Sequence, residues 1–202
     1  MRAGGGSTFA EDPGLAAPDA RIIWHADLDP SAIAAVAVAA TESGPNTIDS
    51  GRLAPWLSAA VDDDGVEHIV LSDGWQHIRI DIEVGSLLAG VPVTLHYRLA
   101  GLADAEPKLL PLRRLIELVR HRRFLRTLIA PDVRMTRHLL ALRVHDALAA
   151  GASQREIADV LFGSVAEAND RADSLRSRVR RLARESRRLA SGGWRTLMRG
   201  RR

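Results

Sequence analysis

The spacing of hydrophobic positions changes along this chain, and the change divides it in two. Between residues 20 and 100 the period is two. In HIVLSDGWQHIRIDIEV, Ile78, Ile80 and Ile82 alternate with His77, Arg79, Asp81 and Glu83, as in a strand with one face on a core and the other in solvent. Asp73-Gly74 separates this run from EHIVL and suits a tight hairpin, because glycine accepts a positive φ. VPVTLHYRL repeats the alternation through Val93, Leu95, Tyr97 and Leu99, and RIIW, at residues 21–24, reads as a further short strand. SAIAAVAVAA, residues 31–40, is apolar throughout, so periodicity leaves strand and helix both open there. TESGPNTIDSG after it is a loop. His68, His77 and His96 fit outward strand positions and read as surface residues.

From Pro111 the period becomes helical. PLRRLIELVRHRRFLRTLI places Leu112, Leu115, Ile116 and Val119 on one face, opens with proline near the first turn, and is ended by Pro131. VRMTRHLLALRVHDALAA aligns Leu140, Val144, Ala147 and Leu148 and stops at Gly151. Ser153 then caps QREIADVLF. Residues 163–173 read as a loop or short helical segment leading into the long helix SLRSRVRRLARESRRLA, closed by Gly192-Gly193. The expected architecture is α+β: an arm or linker at 1–19, a small acidic antiparallel β module at 20–104, and an all-helical, helix-turn-helix-like C-terminal domain at 105–202.

Charge sharpens this division. The net charge of +3 conceals an asymmetry: residues 1–110 carry 6 Lys+Arg against 16 Asp+Glu, and residues 111–202 carry 22 Arg against 9 acids. A basic half of this kind points to a polyanionic partner, because cations that neutralise phosphates release condensed counterions. All but one of the 28 basic residues are Arg, which suits forked contacts to phosphate and guanine, although a GC-rich genome produces the same bias.

Enzyme chemistry finds no home in the pattern. There is no Gly-rich phosphate loop, H-E-x-x-H or G-x-S-x-G, and the absence of Cys removes thiol nucleophiles and thiolate metal sites. His138 and His145 could share a helix face, but no third ligand accompanies them. The expectation is a non-enzyme with no cofactor and no metal. The N-terminus lacks a signal-peptide build and no apolar run approaches about 18 residues, which predicts a cytoplasmic protein without membrane contact.

On the last long helix, Val179, Leu182 and Leu189 fall near Leu175 on a helical wheel, while Ser177, Arg180, Arg181, Arg184, Arg187 and Arg188 fall opposite, with Arg176 at the edge. From Ser174 to Arg202 there are eleven Arg and one acid, Glu185. A basic helix braced by another is what a helix-turn-helix presents to a major groove about 12 Å wide. QREIADVLF would be the brace, with Ala158 allowing close approach. Its spacing departs from the compact pattern, so the reader helix either begins earlier, near Val165, or follows a long turn. The expected DNA contacts are Arg180, Arg181 and Arg184 at the centre, Arg176 and Ser177 near base edges, Gln154 and Arg155 on phosphates, and Arg188 on the same face.

LRVHDALAAGASQREIADVLFG followed by SLRSRVRRLARESRRLASGGWRTLM resembles the RovC-like DNA-binding domain family of proteobacteria, common on integrative and conjugative elements. The shared features are Asp146 before the turn Ala150–Ser153, R-E-I-A at 155–158, L-F-G at 161–163, and the S-x-R-x-R-V-R-R-L helix with its G-G-aromatic tail. The similarity spans nearly all of residues 9–200, and longer members carry an extra N-terminal helical region. The resemblance implies a transcriptional regulator of element transfer or secretion genes that binds double-stranded DNA. RNA polymerase, another regulator and a homo-oligomer stay open as further associations. The alternative is an antiactivator whose basic helix binds an acidic partner protein.

Overall fold

The computed structural model describes residues 14–16, 19–42, 44–129, 133–163 and 169–198. The expected arm at 1–19 lies mostly outside them. Contacts divide the chain into two compact units after Ile129, so the boundary expected at residue 105 falls inside the sheet-bearing unit.

The first unit is a five-stranded mixed sheet: β1 Ile33–Ala39, β2 Leu57–Val61, β3 Glu67–Ser72, β4 His77–Val84 and β5 Val93–Arg98, in the order β2-β3-β4-β1-β5. Three pairings are antiparallel as expected, and the fourth, β1 with β4, is parallel. The all-apolar run at 31–40 is therefore an interior strand, and interior strands need no polar face. Parallel neighbours require a long crossover. Here residues 40–76, including the β2–β3 hairpin, supply it.

Ile78, Ile80 and Ile82 are fully buried together with Ile33, Ala35, Ile69 and Leu71. Each fully buried Ile contributes roughly 1.5–3 kcal/mol by leaving water. The β3–β4 connection is a four-residue loop, in which Asp73 Oδ1 accepts from Trp75 N and Gln76 N at 3.0 and 2.7 Å and Gly74 takes φ 89°. Gly85 is required more strictly, because a Cβ at its φ of 80° would lie 1.9 Å from Ala37 O.

The expected solvent face of β4 is corrected by the structure. Arg79 is 2% exposed, and its guanidinium donates to Trp24 O, Ile69 O and Ile80 O and pairs with Asp81 at 2.6 Å. His68 joins this cluster through Asp81 and Asp62 instead of standing free on the surface. The cause is the segment around Ile23 and Leu28, both buried, which covers this side of the sheet. Of the strand expected at 21–24, residues 21–23 form none and Trp24 makes an isolated bridge; Ile23 is buried.

The helices α1 Leu102–Ala105 and α2 Leu109–His121 follow. α2 buries Pro111, Leu115 and Leu118 against the sheet core, whereas Ile116, expected on that face, is 48% exposed. It ends at Arg122, which adopts a left-handed φ of 54°, well before Pro131; that proline lies outside the described residues. Arg114 reaches back to Leu128 O at 2.9 Å and fixes the chain after the helix.

The second unit packs α3 Met135–Ala149, α4 Gln154–Phe162 and α5 Asn169–Arg188 around Ala141, Val144, Ile157, Ala158, Val179, Leu182 and Ala183. A π-turn at Leu189–Gly193 and the short α6, Arg195–Met198, close it.

Candidate nucleic-acid interface

α4 begins where Ser153 and Glu156 form a reciprocal capping box: Glu156 N donates to Ser153 Oγ at 3.3 Å and Ser153 N donates to Glu156 Oε2 at 2.7 Å. Hydrogen bonding from the Ser153 backbone first, and then from its side chain, holds the Glu156 carboxyl below its ordinary pKa. The carboxylate then occupies the place at this helix end where an anion would gain most. Gln154 and Arg155, at the same helix start, are exposed.

Ile157 and Ala158 are the buried residues of α4, 3% and 4% exposed. Ala158 sits in the core with Val179, Leu182 and Ala183 of α5, so a small residue does stand where the two helices meet. On α5 the wheel is met at Val179 and Leu182, with Leu175 half-buried, as is Leu189 just past the helix end; Ala183 and Ser186 are also buried, and Ser186 Oγ donates to Ala183 O at 3.1 Å. The helix starts at Asn169, inside the expected loop or short helical segment at 163–173; Val165 lies outside the described residues.

Arg178 and Arg137 link helices of this unit. Arg178 stacks over the Phe162 ring at 4.2 Å, tying α5 to the end of α4, and Arg137 of α3 pairs with Glu185 at 2.7 Å. The single acid between Ser174 and Arg202 is thus engaged by a neighbouring helix and neutralises none of the outer arginines.

Five expected site residues, Gln154, Ser177, Arg180, Arg181 and Arg184, line one open cavity of about 430 Å³. Arg187 lines it too. The helical wheel sets it on the outer face, three positions from Arg184, but outside the expected contacts. Arg180 donates to Ser177 Oγ at 2.9 Å, which pre-orients the guanidinium, and Arg187 donates to Ala183 O at 3.2 Å. No described acid forms an ion pair with Arg180, Arg181, Arg184 or Arg187. Arg155, Arg176 and Arg188 are exposed but do not line this cavity.

The rest of the unit offers little competing chemistry. Among the described residues no three His, Asp or Glu side chains gather as metal ligands, and no helix is long and apolar enough to cross a membrane. His138 and His145 both lie on α3 without a third ligand.

A concave, multiply cationic surface built on one helix face and the start of another is complementary to a phosphate backbone. Comparison with known families agrees with that chemistry. A family model described as "T6SS, Transcription factor, DNA binding domain" matches residues 98–199, about half the chain. The similarity expected over residues 9–200 is met from residue 98 onward. Comparison with curated proteins gives no match.

Proposed function

Because the chain belongs to the RovC family of transcription-factor DNA-binding domains, we propose that α4 and α5 act as a helix-turn-helix-like pair, with α5 as the helix that enters the major groove. The observation that carries this reading is the cavity shared by Gln154, Ser177, Arg180, Arg181 and Arg184, in which the arginines have no described acidic partner. Arg180 and Arg184 supply the central contacts together with Arg181, and Ser177 and Arg176 lie toward base edges. Gln154, Arg155 and Arg188 hold the flanking phosphates, and Arg187 extends the row. Contacts to the backbone set register and affinity, and those to base edges set sequence preference.

The target genes in this reading are those of mobile-element transfer or of secretion; the family is described by its role in T6SS transcription. The test is fluorescence anisotropy of the full chain with a fragment selected from random duplex. Steep loss of affinity with added salt, together with retained preference for the selected site, supports a DNA reader. Weak, sequence-indifferent binding to duplex, with tighter binding to an acidic protein, replaces this reading with that of an antiactivator.

A further inference from the structure

The sheet-bearing unit has a concave cluster of arginines of its own, on elements other than α5. A cavity of about 440 Å³ is walled by residues 44–53 and by the end of α2, and Arg52, Arg120 and Arg122 line it. Arg52 and Arg120 are exposed and Arg122 is half-buried, so all three guanidinium groups are open to a ligand from solution. Asp49 is the one acid among the described lining residues, and it is already engaged: Oδ1 accepts from Gly51 N at 2.9 Å and Oδ2 pairs with Arg52 Nε at 3.4 Å. Glu117 lies outside the lining, 3.9 Å from Arg120, and is held by His121 at 3.1 Å. Against three guanidinium charges stand one carboxylate and the roughly half charge of a helix C-terminus, so the lining keeps a positive surplus.

The backbone at Arg122 is a second, independent observation. Among the described residues other than glycine it alone takes a positive φ, 54°, at the end of a helix, where glycine is the usual occupant. A larger residue in the left-handed region carries strain, and such strain gathers at binding sites, where the side chain is needed. The Arg122 guanidinium reaches the opposite wall and donates to Arg52 O at 3.0 Å. That bond uses one of five N–H donors, so it brings the Arg122 fork up to Arg52 and leaves most of the fork open.

We propose that this cavity binds a small phosphomonoester. Arginine forks match phosphate oxygens in pairs, and three of them around one concavity favour a dianion over a single carboxylate. Asn46, exposed in the same lining, adds an amide donor. Ile48, Leu53 and Val119 complete the lining with apolar surface, which suits a short carbon skeleton on the phosphate; no aromatic ring among the described lining residues offers a nucleobase a stacking face. The volume falls within the roughly 300–1,000 Å³ of small-molecule sites. Duplex DNA is disfavoured here, because residues 1–129 carry 12 Lys+Arg against 17 Asp+Glu and only the local field is positive.

Calorimetric titration and thermal shift of the full chain with glycerol 3-phosphate, at fixed ionic strength, test the proposal. We expect saturable one-to-one binding and a rising Tm, and no binding of glycerol. Arg122→Gly should weaken binding at least tenfold while its Tm equals or exceeds that of the parent, because glycine relieves the left-handed backbone. Arg120→Gln, at an exposed position, should weaken binding several-fold, and it decides the matter should Arg122→Gly melt early. The α5 face is cationic too, so the paired substitution Arg180→Ala and Arg181→Ala separates the two sites: it should leave glycerol 3-phosphate binding unchanged. Absence of saturable binding, unchanged binding in Arg120→Gln, or loss of binding in the Arg180 and Arg181 pair overturns the proposal. Displacement of glycerol 3-phosphate from that paired variant by a short duplex also overturns it, since the cavity would then hold DNA backbone.

Discussion

In the sheet-bearing unit, charged side chains find partners close at hand: Arg79 with Asp81, Lys108 with Asp104, and Arg98 with Glu83. Glu67, 6% exposed, accepts from Leu87 N at 2.8 Å. In the helical unit the only acid of the long basic stretch is taken by Arg137, and four arginines face a shared cavity with no described acid paired to them. At these positions charge in the first unit secures the fold, and charge in the second is held ready for something outside the chain. The sign of the net charge alone does not distinguish these uses. What distinguishes them is whether a cation, once removed, leaves an opposite charge stranded.

That distinction can be broken by substitution. Arg79→Met should give the largest effect, a loss of about 3–5 kcal/mol in chemical denaturation, since the half-buried Asp81 is left without its cation. Survival of full stability would mean that the sheet unit does not depend on its internal pairing. Ala158→Leu should cost about 1–3 kcal/mol by overpacking the contact of α4 with α5, read as a lower Tm. Weaker DNA binding in that variant should track its unfolding.

The paired substitution Arg180→Ala and Arg181→Ala should change stability by less than about 0.5 kcal/mol, as at other exposed positions. It should nevertheless reduce DNA affinity. If both contact phosphate, the slope of log affinity against log salt falls by about 1 per residue; a guanine contact instead costs roughly 1–3 kcal/mol at the preferred site only. Arginine variants that melt early while binding DNA normally would make the outer face structural and erase the contrast between the units. The smallest effect belongs to Glu156→Gln. The folded-state pKa of Glu156 is depressed, so its contribution to stability is present above the ordinary value of 4.5 and fades as pH falls through the lower folded value. The Tm difference between this variant and the parent should therefore narrow on acidification from neutral pH.

Much of this was legible in the residues. The alternation at Ile78, Ile80 and Ile82, the stripe of Val179 and Leu182, the cap at Ser153 and the close-packed Ala158 all follow from local periodicity, which survives folding unchanged. The family motifs also lay in consecutive residues, as did the candidate row Arg180, Arg181 and Arg184. Burial of Arg79 was not legible, because it depends on residues 23–28 crossing a face that the alternation assigns to water. Nor was the parallel pairing of β1, which is settled by partners more than forty positions away. Arg187 was missed as a lining residue for a different reason: the wheel ranks directions around one helix and carries no information on which of them a neighbouring helix turns into a concavity.

The insertion of β1 between β4 and β5 has a consequence for the time course of folding. Both of its neighbours are synthesised long after it, and loop closure must bring them in before the strand gains a single ladder bond. Until then IAAVAVA is a seven-residue apolar segment without charge or proline, the composition that pairs indiscriminately with copies of itself. A nascent chain paused before Val93 would leave one side of β1 unpaired, and such intermediates are the ones a cell must keep dilute or shielded.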